Sequence, residues 1–452
     1  MNKVFILISF FLITTTSKAQ ENKTYKFTLE QAINFALDSN YTAINARRDI
    51  AKAIKKKWET TASGLPQLNG SISYQNNLKQ PTTLIPGEIT GGDSGTFIPV
   101  IFGTKENANI GVSLSQLIFD GSYLVGLQAA KTFLDYSQNA DEKTQLEVRL
   151  GVINAYGSVL LSEELIDIID LNIKNLQNNL NETKAYYKNG FVEEESVEQL
   201  EITLLDLETQ LKNSKRMFLI AQQMFNLALG IDVESNVIMV DNLDTLTQQN
   251  IRLDFLEKNI NIEDNIDFKI ATNYKDQRLL ELKLEKSYSI PNLAAFVNYG
   301  TQANSNSFTF LSNNQKWYQA SLLGINMNIP IVSSGMRSAR TQQARIALEQ
   351  AETNLKETYQ NILLEINTAK NNYRFAIEVY NNNKKNLNLS QRVEKKNQIK
   401  FLEGIATSFD LRNAQIQLYN AQQSYFESML RVITTKADLE TVLNTPQLKK
   451  IN

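Results

Sequence analysis

The sequence predicts a mainly α chain with a four-stranded β contribution, its helices paired into long coiled-coil hairpins. Three observations predict it. Two tips turn on a single glycine, Gly190 and Gly404, and beyond each the apolar residues step by alternating fours and threes, the spacing of a heptad seam. Long proline-free stretches lead into both tips. Four short stretches, two in each half, alternate apolar and polar residues with the period of a strand. Because the elements occur twice in the same order, the chain reads as one doubled unit.

Composition narrows the function. The 452 residues carry 46 Lys and Arg against 48 Asp and Glu, a net charge of −2, and no basic patch stands out, so no nucleic-acid partner is expected. With no cysteine and no histidine, disulfides, thiolate or imidazole metal sites, and Ser-His or Cys-His catalysis are excluded. No enzyme and no cofactor is expected. The acid run Glu193 to Glu195 falls at a helix start, where the dipole favours carboxylates, and this argues against a hydrolase built on carboxylate pairs.

Met1 to Ala19 has Lys3, an apolar run from Val4 to Ile13, and Ser17 and Ala19 around an expected cut, the pattern of a secretory signal peptide. About ten apolar residues are too few to span a bilayer as a helix. The mature chain is expected to begin at Gln20 as a first repeat (20–230, tip at Gly190), followed by a connector (231–265), a second repeat (266–445, tip at Gly404) and a short tail (446–452).

Thr28 caps a helix whose spacing continues through Arg47, Arg48 and Lys57 and ends by Pro66. Pro66 to Tyr74 then reads as a strand, with Leu68, Gly70, Ile72 and Tyr74 on one face and Gln67, Asn69, Ser71 and Ser73 on the other. Gln75 to Ala108, with three prolines, reads as a long exposed loop. Asn109 to Leu117 is a second strand, with Ile110, Val112 and Leu114 opposite Gly111, Ser113 and Ser115, closed by Phe119-Asp120-Gly121-Ser122. A helix from there to Lys188 would be ~100 Å long at ~1.5 Å per residue.

The helix beyond the first tip carries Leu200, Leu204, Leu207, Leu211, Ser214, Phe218, Ala221, Phe225 and Ala228. The one beyond the second carries Leu411, Ala414, Leu418, Ala421, Tyr425, Ser428, Val432, Thr435, Leu439 and Val442 in the same phase, so that Leu204 matches Leu418 and Leu211 matches Tyr425. Between the halves, Gly230 to Asn265 is weakly patterned. A helix over Ile266 to Ser289 and strands over Pro291 to Tyr299 and Ser321 to Ile329 repeat the first half, with Trp317 and Tyr318 at the last strand's start. A further helix from Gly335 to Phe401 carries Ile362, Ile366, Ala369, Tyr373, Ala376, Tyr380, Asn383 and Leu387 as its seam, and Pro446 is expected to stop the last helix.

Four strands of about ten residues, each apolar on one face, have the length that crosses a bilayer in a β-barrel. Leu68, Ile72, Val112, Leu114, Leu293, Val297, Ile325 and Met327 are the candidate lipid-facing residues. Four strands cannot close, and a barrel in lipid tolerates no free edge, so several chains are expected to share one barrel. The helices are rich in Asn, Gln, Lys and Glu away from their seams, which suits a ring around water. A periplasmic or extracellular coiled-coil structural protein would explain the heptads but not four strands in repeated register.

The Thr28-Leu29-Glu30-Gln31-Ala32 opening, the Leu/Ile-Pro-x-Leu strand starts at Pro66 and Pro291, Phe119-Asp120-Gly121 and the two glycine tips, the second followed by Asp410-Leu411 and Ala414-Gln415, together resemble the TolC family of outer-membrane efflux proteins. The resemblance implies a homotrimer with a 12-stranded transmembrane β-barrel in outer-membrane lipid, continuing into a periplasmic α-barrel. It implies tips that meet a periplasmic adaptor (membrane-fusion) protein and an inner-membrane RND or ABC transporter, in a tripartite efflux pump or type I secretion system. The chain would be a passive exit duct. Gly190, Glu193, Glu194, Glu195, Glu198, Gly404, Thr407, Asp410 and Asn413 are the candidate tip and gate residues. By resemblance, Asp410 matches an acidic position near the family's constriction. The chain departs from the family pattern at Val332-Ser333-Ser334-Gly335, where an aromatic-Asp-Gly-Gly turn is usual, and at Asn413, where well-known members carry an acid.

Overall fold

The computed structural model describes residues 24–258 and 261–445; the expected signal peptide, the tail after 445 and Pro446 lie outside the described residues. The described residues fall into two compact units, one drawn from the spans 1–45, 142–261 and 363–452 and the other from 46–141 and 262–362. Each takes a share of both sequence halves.

The first unit opens with β1 (Tyr25–Phe27) and α1 (Leu29–Ser39). Thr28 is the cap, as its position suggests, and its capping-box partner is Gln31, two residues inside the helix start. The single helix expected here is two. Asn40 has an extended backbone, its side-chain oxygen accepts from Thr42 N at 2.8 Å, and α2 (Tyr41–Ser63) starts afresh, leaving the unit after residue 45.

The long helices form as expected: α3 (Gly121–Lys188), then α4 (Glu194–Leu229), and in the second half α8 (Met336–Leu402), then α9 (Ser408–Val442). No seam residue of α4 or α9 is exposed, and Leu200, Leu207, Phe225, Leu411, Val432 and Leu439 are fully or almost fully buried. Near the first tip, Leu176 and Leu180 of α3 pack with Val197, Leu200 and Leu207 of α4, and Tyr419 of α9 closes the cluster. The seams are not wholly apolar: Asn172 Nδ2 donates to Gln422 Oε1 at 2.8 Å, both side chains buried.

The connector is more ordered than its weak pattern suggests. It holds β6 (Val237–Met239), α5 (Leu243–Asn250) and α6 (Asp254–Glu257), and β6 pairs in parallel with β1, an element too short for a periodicity to register. Gly230 ends α4 in the left-handed region, and a Cβ there would lie 2.3 Å from the Ser39 carbonyl oxygen, so only glycine fits.

The second unit contains an antiparallel sheet in the order β2-β5-β7-β8, made of β2 (Gln67–Asn76), β5 (Glu106–Phe119), β7 (Asn292–Ser305) and β8 (Tyr318–Asn328). It also holds α7 (Ile266–Ser287). The Gln75 to Ala108 segment, expected to be a long exposed loop, contains a hairpin of β3 (Thr82–Pro86) and β4 (Phe97–Ile101) with a short 3-10 turn at Gly87–Thr90. Pro86 and Pro99 masked its strand period. In a two-stranded ribbon each strand has a free edge, so a missing N–H is tolerated there. Likewise β7 runs on to Ser305, beyond the Tyr299 end expected from the sequence.

Asp120 starts α3 as the Phe119-Asp120-Gly121-Ser122 motif suggests, its Oδ1 accepting from Ser122 N at 2.7 Å. At the departure point in the second half, Ser334 and Gly335 both take positive φ, and the turn before α8 is made by backbone conformation without the usual acid.

Candidate functional site

The sheet register decides which residues share a face. Leu68, Leu114, Val297 and Leu323 form one row across all four strands, and Gly70, Val112, Tyr299 and Ser321 form the row two residues on. Directly paired residues of antiparallel strands point to the same side, so Leu68, Ile72, Val112, Leu114, Leu293, Val297, Ile325 and Met327 all lie on one face. All but Leu293, which is half-buried, are exposed. The opposite face carries Asn69, Ser113, Asn298 and Leu322 in one row and Ser71, Gly111, Gly300 and Ala320 in the next. Among the four strands the only charged residue is Glu106, buried at the start of β5, with Asn76 Nδ2 donating to its Oε1 at 3.3 Å. Among the described residues, the outer sides of β2 and β8 have no strand partner.

One end of the apolar face is capped by side chains that lie between the two strands expected in the second half. Phe310 lies over Ala108 and Ala303 with Trp317 against it, and Phe308 and Phe310 meet the Tyr74 ring edge-on at 5.6 and 5.8 Å. The closely spaced Phe308 and Phe310 were the available signal. On the polar face, the Phe296 ring lies over Gly324, where a Cβ would come within 2.5 Å of it.

The two tips are built alike. At the first, Gly190 (φ 75°) follows α3, Gly190 N donates to Tyr187 O, and Phe191 N donates to Tyr186 O at 2.9 Å. At the second, Gly404 (φ 70°) follows α8, Gly404 N donates to Phe401 O, and Ile405 N donates to Lys400 O at 2.8 Å. This is the same helix-ending motif twice, and in both the next cap stands three residues beyond the glycine. Phe191 and Ile405 are exposed at the two turns.

The caps differ. Glu193 caps α4 without a side-chain bond, Glu194 and Glu195 follow in the first turn, Glu195 accepts from Gln199 at 2.9 Å, and Glu198 is exposed. Thr407 caps α9 in a full box: Thr407 N and Oγ1 donate to Asp410 Oδ2 at 3.0 and 2.6 Å, and Asp410 N donates back to Thr407 Oγ1. Those Thr407 bonds, helped by the charge of Lys400, hold the Asp410 carboxyl below its ordinary value. Asn413 is exposed one turn on. Among the described residues no hydrogen bond or ion pair joins the glutamates of the first tip to Asp410.

Two further features were not foreseen. Arg149 and Lys436 both pair with the buried Glu440, and Lys436 Nζ also donates to Asn250 Oδ1 at 3.0 Å, tying α5 to α9. A groove of about 990 Å³ runs between α3 and α4, lined by Leu161, Leu165, Met217, Ile220, Met224 and Leu227. No cluster of three or more metal-ligating side chains occurs among the described residues, and no described helix is long and apolar enough to cross a membrane.

A family model described as Outer membrane efflux protein matches residues 262–445. The Outer membrane protein TolC of Vibrio cholerae is 21% identical over 427 residues, spanning 90% of this chain and 88% of its own length. The second half of the chain is thus similar to outer-membrane efflux proteins, and the chain as a whole to a TolC. The family match covers the second repeat, with α7, β7, β8, α8 and α9, whereas the full-length relative extends the likeness through the first. Solved structures share the TolC-like fold. The outer membrane protein VceC from Vibrio cholerae superimposes with a TM-score of 0.70 at 15% identity, covering 92% of this chain and 95% of that one. The Campylobacter jejuni CmeC outer membrane channel does so with 0.72 at 16%, covering 94% and 85%.

Proposed function

We propose that three copies of this chain assemble into one exit duct through the outer membrane and periplasm. The observation that carries the reading is the sheet: apolar and exposed on one face, polar on the other, with β2 and β8 unpaired at its two edges. Lipid cannot satisfy the backbone groups of those edges, whereas β8 of one copy against β2 of the next can. Three copies supply twelve strands, an even antiparallel number within the range that outer-membrane barrels use. The apolar groove between α3 and α4 then receives a helix of a neighbouring copy.

The duct does no chemistry. It opens a path, while a periplasmic adaptor and an inner-membrane RND or ABC transporter supply selection and energy, in a tripartite efflux pump or a type I secretion system. The paired tips at Gly190 and Gly404 form its periplasmic mouth, with Glu193, Glu194, Glu195, Glu198 and Asp410 brought close by threefold convergence. Mass measurement of the detergent-solubilised protein tests the assembly: a heat-modifiable, SDS-resistant trimer is expected, and a stable monomer overturns the reading. Deleting the gene separates the two roles, since an efflux duct lost leaves cells sensitive to small toxic compounds and a secretion duct lost leaves a protein missing from the medium.

A further inference from the structure

The β3–β4 hairpin carries an apolar face that its own chain leaves bare. Its register pairs Leu84 with Pro99, Pro86 with Phe97, and Thr82 with Ile101, so these six residues share one side. All six are exposed: Leu84 at 61%, Phe97 at 63% and Ile101 at 53%, with both prolines open beside them. The other side, with Ile85 and Val100, is half sheltered. Between the strands the turn is glycine-rich and polar, and Gly87 is buried under Thr96. The arm thus has a solvated end and a greasy shaft. A lone two-stranded ribbon is marginal in water, and among the described residues no strand or helix outside the hairpin and its own turn is packed along it in more than passing contact.

The root of the hairpin says what covers it. The hairpin rises directly from β2, the unpaired edge, and its stem is closed where Asn77 N donates to Lys105 O at 2.8 Å. Resting on the trimeric reading above, the strand that meets β2 is β8 of the next copy, which begins at Tyr318, just after the loop that bears Leu311 (88% exposed) and Phe308. That loop and the hairpin face are both rich in uncovered apolar side chains, and neither presents an acidic residue. Pro86 and Pro99 lack the N–H needed to extend a ladder, so the contact is through side chains and not by strand addition. We propose that the Leu84/Phe97/Ile101 face of each hairpin docks on the 306–318 segment of the adjacent copy, clasping the barrel seam at the end of the strands where the β2–β5 and β7–β8 connections lie.

A photo-crosslinking benzophenone side chain placed at Phe97 in the full-length protein tests this, with the same group at Ser94 in the polar turn as control. Irradiation should give a two-chain adduct, several-fold more abundant from position 97 than from 94, whose crosslinked peptide maps within 306–318. An adduct only with lipid, only with another protein, or only within the chain overturns the clasp. Combined L84S, F97S and I101S should lower the temperature at which the trimer dissociates in SDS while leaving trimers formed; an unchanged dissociation temperature also overturns it. Failure of the trimeric reading is distinguishable, because it shows as a monomer mass for the unirradiated wild type.

Discussion

The Tyr156 hydroxyl, fully buried in α3, donates to Asp241 Oδ2 at 2.9 Å, joining the longest helix to the connector between the two halves. The same carboxylate oxygen accepts from Leu29 N at 2.7 Å, so the start of α1 is held at this point too. Burial, reinforced by the Asp241 bond and charge, pushes the phenol above its ordinary value, so it stays a neutral donor throughout the working pH range. Y156F removes a hydrogen bond to a charged group and should cost ~1.5 to 3 kcal/mol. The shift in denaturant midpoint measures it, and a change indistinguishable from zero would show that Asp241 is satisfied without the tyrosine.

The apolar face of the sheet makes a sharper demand. V112R or I325R should destabilise the inserted protein by ~2 to 4 kcal/mol if the site lies near the bilayer midplane, whereas S113T on the opposite face should be mild. Urea titrations of protein folded into vesicles compare the three. Equal effects on both faces would mean that the sheet does not separate lipid from water.

At the second tip, the depressed Asp410 pKa fixes the sign of a pH effect. A carboxyl whose folded value lies below its unfolded one stabilises the fold above the unfolded value, ~3.9 for Asp, and loses that contribution as pH falls through the folded value. Amide exchange over the first turn of α9 should therefore be slow at neutral pH and speed up in acid below the usual carboxylate range. T407A should move that acceleration to higher pH. If T407A leaves the profile in place, the box does not set the carboxyl's affinity for protons.

The tip acids also bear on ion passage. If convergence of three copies brings Glu193, Glu194, Glu195 and Asp410 together, replacing all four with their amides should reduce cation preference and weaken divalent block in single-channel recordings. Unchanged reversal potentials would leave these side chains as helix-start residues, with Asp410 engaged by Thr407 alone.

Much of this was legible in the residues. The glycine tips, the seams and the phase of the four strands follow from periods that local sterics enforce, so Leu204 and Leu418, or Leu68 and Leu293, could be placed from spacing alone. The β3–β4 hairpin was not, because Pro86, Pro99 and a glycine-rich turn imitate loop composition while register is set by pairing. The β1–β6 pair was missed because three residues carry no period. The ionic contact of Glu440 with Arg149, and the bond between Asn172 and Gln422, link residues hundreds of positions apart, and spacing says nothing about polar groups that meet only through tertiary packing. Among the tip residues, the sequence showed which acids start helices, whereas the bonding of Asp410 to Thr407 required the geometry.

The bare outer sides of β2 and β8 have a consequence for how such a duct accumulates in a cell. On the proposed trimeric assembly, a solitary copy arriving at the bilayer has no way to shield its two raw borders, so commitment to the membrane waits on encounter and rises with supply more steeply than in proportion. Co-expression of a copy with a spoiled β8 should then be poisonous out of proportion to its abundance, since a single faulty border wastes the two sound chains recruited to the same ring.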